Sequence, residues 1–292
     1  MRIRDLFRPN WPLFSIELFP PKTPAGIESL KAKLVEIRAH EPDFISVTYG
    51  AGGGTRHTTR AICSHIVGDL GMEAMAHVTC AAHTRTEIAE LLEGLYADGV
   101  RNIMALRGDP PAGQPFRPAP DGYAHAADLV RDLAADGRFG IGVAGYPEGH
   151  VEAADYRTDL QHQTAKMRAG ADFCVSQFFL DNTHFLRWRD DVRKAGATLP
   201  LVAGILPALS LEQIGRFASL CGASVPARLT AGLSRFEHHP DSAAAFGLVF
   251  ALQQVERLLE EGVDGIHLYA LNRLESVRAV SALVRGLRPP PE

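Results

Sequence analysis

Residues 74–106 read AMAHVTCAAHTRTEIAELLEGLYADGVRNIMAL, and this one stretch decides the fold. It opens on a short apolar run, Ala74–Thr79, and closes on another, Asn102–Leu106. Between them Ile88, Leu91, Leu92 and Leu95 fall at the i, i+3, i+4, i+7 spacing of a helix with a single buried stripe. The stretch is therefore one strand–helix–strand unit, with about 30 residues from one strand start to the next. Outward from it the same unit recurs. The other candidate strands are Leu13–Leu18, Phe44–Tyr49, Gly140–Ala144, Phe173–Phe178, Leu201–Ile205 and Gly265–Tyr269. Ile27, Leu30, Leu34 and Ile37 mark a second helix of the same kind. The last gap is about twice the others and predicts extra helix there. Strand–helix alternation requires a parallel sheet with right-handed crossovers. Eight units with no linker between them favour a closed barrel over an open sheet. The expectation is an α/β protein, a single (β/α)8 barrel domain over residues 1–292.

The bulk properties suit that reading. Hydrophobic residues make up 46% of the chain and charged residues 22%, enough apolar matter for a large core. A formal net charge of −4 leaves no basic stripe, which argues against nucleic acid as a partner. Cys63, Cys80, Cys174 and Cys221 are scattered without a Cys-x-x-Cys pair, as expected of free thiols in a reducing cytoplasm. Met1 to Phe14 carries arginines but no apolar run, so it does not read as a secretory signal. The most hydrophobic stretch, Leu199 to Leu209, holds Pro200 and Pro207 and is too short to span a bilayer.

A barrel of this type does its chemistry at the C-terminal ends of its strands. The residues at or just past those ends are Glu17, Thr48 with Tyr49, His77, Arg107 with Asp109, Tyr146 with His150, Gln177, and Tyr269 with Asn272 and Arg273. Polar groups stand at nearly every exit, which packing alone does not require. Glu17 has apolar neighbours on both sides; a carboxyl there loses hydration in its charged form, which suits a general acid near neutral pH. The alternative is a strand-end Glu that reaches solvent or pairs with an Arg. Arg107-Gly108-Asp109 offers close backbone approach to a flat or anionic ligand, or else a surface turn with a local ion pair. Asp159 and Lys166, seven apart, share a helix face and, taken alone, read better as two solvated charges than as ligand contacts. Gln177 amid apolar neighbours must find hydrogen-bond partners, in a heterocycle edge or in the core. The segment from Asp109 to Gly122 reads as a long loop after the fourth strand, and such loops are often functional.

Other signals are weaker. His77, Cys80 and His83 are ligand types at threefold spacing, but on a strand such positions alternate faces, and no metal site is expected. Gly50-Ala-Gly-Gly-Gly54 fits neither a Walker loop nor a dinucleotide fingerprint. Ser64 and Ser176 lack a nucleophile elbow. His238-His239-Pro240 reads as a turn.

Taken in order, several segments resemble the methylenetetrahydrofolate reductases. They are Phe14-Ser-Ile-Glu-Leu-Phe-Pro-Pro-Lys22, Ser46-Val-Thr-Tyr-Gly50, Ala76-His-Val-Thr-Cys80 and Ala105-Leu-Arg-Gly-Asp-Pro-Pro111. Gly145-Tyr-Pro-Glu-Gly-His150, Ser176-Gln-Phe-Phe179, Gly204-Ile-Leu-Pro207 and Tyr269-Ala-Leu-Asn-Arg273 follow in the same order and carry the match across almost the whole chain. The resemblance implies a flavoprotein TIM barrel of one-carbon metabolism and methionine biosynthesis, with FAD at the strand C-termini and NADH or NADPH as electron donor. Positions matching the family's flavin contacts are Thr48, His77, Arg107, Gly108, Asp109, Ala144, Tyr146, His150, Asp159 and Lys166. Those matching its folate contacts are Glu17, Asp109, Gln177, Phe217, Tyr269 and Arg273, with Glu17 and Asp109 catalytic.

On that resemblance, hydride passes from the nicotinamide to the flavin and then to 5,10-methylenetetrahydrofolate, while Glu17 helps protonate N10 as the folate ring opens. Asp109 near the flavin would disfavour its anionic reduced form and make it a stronger reductant. The family commonly forms a homo-oligomer, a dimer or tetramer. The chain ends at Glu292 directly after the last helical pattern, so inhibition by S-adenosylmethionine through a regulatory domain is not expected. The competing readings are a metal-dependent barrel hydrolase and a non-catalytic folate- or nucleotide-binding protein.

Overall fold

Helix boundaries are written into the sequence by caps. Thr84 accepts a hydrogen bond from the Glu87 N–H at 3.2 Å, and the Glu87 carboxylate accepts from the Thr84 N–H at 2.9 Å, a reciprocal pair that starts the helix quoted above. Thr23, Asp155, Asp181 and Ser210 cap other helices through their side chains. In a computed structural model, which describes residues 1–50, 56–110 and 116–288, these helices alternate with eight strands.

The strands are β1 (Leu13–Leu18), β2 (Phe44–Val47), β3 (Ala74–Thr79), β4 (Asn102–Leu106), β5 (Gly140–Gly145), β6 (Phe173–Ser176), β7 (Leu201–Ile205) and β8 (Gly265–Tyr269). All pair in parallel, each with its neighbours in sequence, and β8 closes on β1. The helices are α1 (Pro24–Arg38), α2 (Arg56–Gly68), α3 (Arg85–Ala97), α4 (Ala126–Asp136), α5 (Tyr156–Arg168), α6 (Asn182–Lys194), α7 (Leu211–Cys221), α8 (Ala227–Ser234), α9 (Pro240–Glu260) and α10 (Leu274–Gly286). The expected closed barrel is present, and the long last gap holds α7, α8 and α9. Two strands end earlier than the apolar runs suggested: β2 at Val47 and β6 at Ser176, so Thr48, Tyr49, Gln177 and Phe178 belong to the loops. β5 runs one residue longer, to Gly145. The Ala51–Gly54 part of the glycine-rich loop and Pro111 lie outside the described residues.

Side chains alternate along each strand, so every second residue faces the barrel axis. The outward set (Phe14, Ile16, Leu18, Ile45, Val47 and their counterparts) packs on the helices in the main core. The inward set begins, at the N-terminal end, with a separate apolar cluster of Leu13, Phe44, Met75, Met104, Phe173 and Val202. A 3-10 helix, Ile3–Leu6, seals this end: Ile3 is fully buried and its N–H donates to Asn102 Oδ1 at 2.7 Å. Phe7 adds a ring 5.7 Å from that of Phe173. Among the described residues no helix is long and apolar enough to cross a membrane.

Candidate active site

At the other end of the barrel the inward positions turn polar. On β1 the inward series is Leu13, Ser15, Glu17; on β2, Phe44 and Ser46, continued by Thr48 just past its end; on β3, Met75, His77. Register sets Glu17 beside Ser46 on one side and Tyr269 on the other, and Ser15 beside His267. Glu17 is 7% exposed. Its Oε2 lies 3.5 Å from His77 Nε2 and 3.6 Å from His267 Nε2, so the carboxyl sits between two imidazoles. Burial pushes the His77 pKa below its ordinary value; Glu17 opposes the shift and His267 adds to it. Neutral His77 is the favoured form, and its Nε2 is buried without a hydrogen bond.

The next wall follows β4. Gly108 has φ +81°, and a Cβ there would meet Thr79 Cβ at 2.8 Å and Ala81 Cβ at 2.9 Å. Only glycine lets this turn pass so close to the β3 exit. Arg107 pairs with Glu152 at 2.6 Å rather than with Asp109, while its Nη2 is buried with no partner. Asp109 itself is exposed and borders the cavity.

The exit of β5 is held from behind by α5. Gln163 accepts from the Tyr146 N–H at 2.8 Å and donates to the Tyr146 carbonyl at 3.2 Å. Asp159 accepts from the His150 N–H at 2.9 Å and from Gln163 Nε2 at 2.6 Å. Lys166 Nζ donates to the Ala144 carbonyl at 2.6 Å, and burial lowers its pKa. Asp159 and Lys166 are thus props that turn inward to hold the wall, neither solvated charges nor cavity-lining groups. A Cβ on Gly145 would clash with the Trp188 ring, and the Trp188 indole donates to Gln163 at 2.9 Å. Gln163 and Trp188 carry no motif, and sequence reading missed them.

Across the mouth, Gln177 accepts from the Phe178 N–H at 2.9 Å. Phe217 and Cys221 reach the cavity from α7, whose far end is tied to the β5 loop where Glu148 accepts from the Ser224 N–H and hydroxyl at 3.0 and 2.6 Å. Tyr269 donates to the Ser176 carbonyl at 2.8 Å and fills space that Gly204 leaves open. Burial raises the Tyr269 pKa, with Glu17 next among the causes.

These groups enclose a cavity of about 500 Å3, within the usual range for a ligand site. All the expected site residues line it except Asp159, Lys166 and Arg273. Arg273 is exposed at the start of α10. Leu271 and Asn272 before it take φ +50° and +57°, and the Asn272 side chain bonds both the N–H and the carbonyl of Phe19, turning the chain away. Apolar lining from Phe19, Met104, Leu106, Val175, Phe178 and Leu206 was also missed; inward parity along β4, β6 and β7 was the signal available. Of the weak metal triplet, His77 faces the barrel, Cys80 is buried, and His83 bonds Tyr49 Oη at 3.0 Å. Among the described residues no group of three or more His, Cys, Asp or Glu side chains is arranged to hold a metal ion.

The sequence profile of the methylenetetrahydrofolate reductase family matches residues 2–284. Over 283 residues the chain is 36% identical to methylenetetrahydrofolate reductase (NADH) 1 of Arabidopsis thaliana, covering 93% of this chain and 48% of the plant protein. It is 37% identical over 277 residues to 5,10-methylenetetrahydrofolate reductase of Pectobacterium carotovorum, covering 94% of this chain and 90% of that one. The chain thus spans about half the length of the plant relatives it matches. Among solved structures, a Clostridium thermocellum protein that binds two copies of 5-methyl-5,6,7,8-tetrahydrofolic acid aligns with a TM-score of 0.63 at 14% identity, over 95% of this chain and 96% of the other. That likeness is one of fold.

Proposed function

The chain belongs to the methylenetetrahydrofolate reductase family, and from that premise we propose that it reduces 5,10-methylenetetrahydrofolate to 5-methyltetrahydrofolate with NADH or NADPH, through FAD held in the cavity. The observation that carries the proposal is Glu17. Its carboxyl forms part of the floor of a ligand-sized cavity, shielded from water and flanked by two imidazoles, where it can hold a proton for a bound folate.

The residues fit a flavin. Arg107 presents a buried, unpartnered Nη2, a donor suited to a polar or anionic part of the cofactor. Gly108 brings backbone to the cavity edge with no Cβ in the way. Thr48, His77, Ala144, Tyr146 and His150 supply the remaining wall on this reading. Asp159 and Lys166 serve it indirectly by fixing the Ala144–His150 segment. When bound, flavin supplies a hydride carrier between the nicotinamide and the folate. The protein's own part is positional and protonic. Gln177 and Tyr269 border the folate's place, Phe217 offers a ring to stack on it, and Glu17 protonates N10 as the five-membered ring opens. Asp109 puts negative charge at the rim, which favours a strongly reducing flavin.

Four cysteines without disulfides suit a reducing cytoplasm, which we take as the site of action. The test is the visible spectrum of the purified protein under anaerobic conditions. Flavin bands near roughly 450 nm should bleach with NADH and return on adding methylenetetrahydrofolate, with methyltetrahydrofolate as product. A colourless protein carrying zinc, or a folate binder that leaves NADH unoxidised, would overturn the reading.

A further inference from the structure

Helix α7 is lightly seated. Of its residues only Ile214 and Ala218 are buried, and Phe217, which reaches the cavity with Cys221 one turn on, is half-buried. Its N-terminal end is fastened locally, by Ser210 to the Gln213 N–H at 3.1 Å and by Gln213 to the Leu209 N–H at 2.8 Å. Its C-terminal end is fastened to another part of the barrel. Gly222 ends the helix at φ +71°, and a Cβ there would meet Val151 at 2.8 Å, so the chain passes hard against the segment after β5. Two residues on, the Ser224 N–H and hydroxyl both donate to Glu148 Oε2, at 3.0 and 2.6 Å. The hydroxyl's one proton is thus used, and His184 Nε2 on α6, 3.2 Å from Ser224 Oγ, donates to it.

The Glu148 side of this tie is firm. A turn closed by the Gly149 N–H on the Tyr146 carbonyl at 3.1 Å carries Glu148 at its tip. Gln163 and Asp159 hold Tyr146 and His150 on either side of it. A well-anchored carboxylate therefore meets the end of a poorly anchored helix. It stands near the carbonyl end of α7, where the helix dipole disfavours negative charge, and its Oε1 is buried without a partner. A contact that only joined two surface loops would not need a half-desolvated anion, since a neutral side chain would serve. Closing the tie gains the hydrogen bonds on Oε2 and forfeits the hydration of Oε1, a balance that holds α7 without locking it. We propose that Glu148, acting through Ser224, is the positioning residue for Phe217. It sets α7 against the β5 wall, and with it the width of the slot that receives the planar pterin.

This rests on the reading of the cavity as a folate site that includes Phe217, and the experiment keeps the two apart. Binding of 5-methyltetrahydrofolate to the oxidised, flavin-loaded protein is titrated through the flavin spectrum, and KM and kcat for methylenetetrahydrofolate are measured beside it. Glu148→Ala should weaken binding and raise KM about tenfold, the scale on which small misplacements act. Its kcat should stay within about twofold, because a misplaced wall loosens ground state and transition state alike. Glu148→Gln, whose amide oxygen can still accept from Ser224, should recover part of the loss. Ser224 is exposed, so Ser224→Ala removes one donor without touching the core; it should act more weakly, and add nothing to Glu148→Ala. Flavin content should stay at the wild-type level throughout, since Gln163 and Asp159 hold the flavin wall independently. In a Phe217→Ala background, Glu148→Ala should cause no further weakening. Wild-type folate affinity in Glu148→Ala, or an equal loss with and without Phe217, would overturn the proposal. Wild-type affinity in Phe217→Ala would instead take Phe217 out of the folate site, and an unmodified protein that turns over no folate would remove the function beneath both.

Discussion

The two halves of the barrel interior are built by the same strands, two residues apart, and share almost no chemistry. The lower half is Leu13, Phe44, Met75, Phe173 and Val202 under a helical plug, dry and apolar. The upper half holds Ser15, Glu17, Ser46 and His77 with His267. The change is also sided. It occurs on β8, β1, β2 and β3, whereas β4 and β7 stay apolar or small through Met104, Leu106, Gly204 and Leu206. Stability and reactivity are thus assigned to successive inward positions of one strand, and a substitution's main effect should depend on which position it strikes.

The sharpest break in that comparison is Glu17→Gln. The uncharged isostere should cost about 10²–10⁴ in the rate of methylfolate formation. Flavin content, reduction by NADH and the melting temperature should stay near wild type. A variant that made methylfolate at wild-type speed would remove Glu17 from the chemistry. One step lower, Phe173→Ala should reverse the pattern: about 3–5 kcal/mol of stability lost in denaturant titration, with the folded fraction turning over normally. Little loss of stability would mean that the plug and Phe44 collapse into the space.

A smaller effect should appear with pH. Burial depresses the His77 pKa in the folded protein, so the unfolded chain binds more protons below the ordinary value of 6.5. The resulting stability is fully present above that value and drains away as pH falls below it, at no more than about 1.4 kcal/mol per pH unit. His83 and His150 shift the same way. His77→Asn should flatten part of this acid limb in thermal melts at pH 5 to 7 (roughly the window in which free imidazole titrates); an unchanged slope would show that His77 is protonated in the fold. The least effect is expected at the rim. Asp109→Asn should raise the flavin midpoint potential by on the order of 30 mV, equivalent to about 1.4 kcal/mol for two electrons. An unmoved potential would uncouple this exposed carboxylate from the ring.

All eight strands were legible because each is a short apolar run followed by a one-sided helix, a pattern the chain repeats without interruption. The two ends set too late, at Tyr49 and Phe178, fail for one reason. Thr48 and Gln177 keep inward parity, but the backbone has left the ladder to open the cavity. The cavity-lining residues at strand exits were readable from parity and polarity. Asp159 and Lys166 were found in sequence but not their task, because what they hold, the His150 N–H and the Ala144 carbonyl, is backbone with no side-chain signature. His267 escaped because it sits inside a strand, between Ile266 and Leu268, where a reader looking at strand ends does not stop.

The tight seat of Trp188 against Gly145 has a use in the cuvette. The chain has two tryptophans, and they lie at opposite ends of the barrel. Trp11 is partly exposed beside Arg288 near the plug, and Trp188 is sealed behind the β5 exit with its indole on the glutamine that grips Tyr146. With Trp11 replaced by Phe, tryptophan emission would come from a single lamp set into the back of the cavity wall. Its colour and its quenching would report, with no added label, when something yellow moves in.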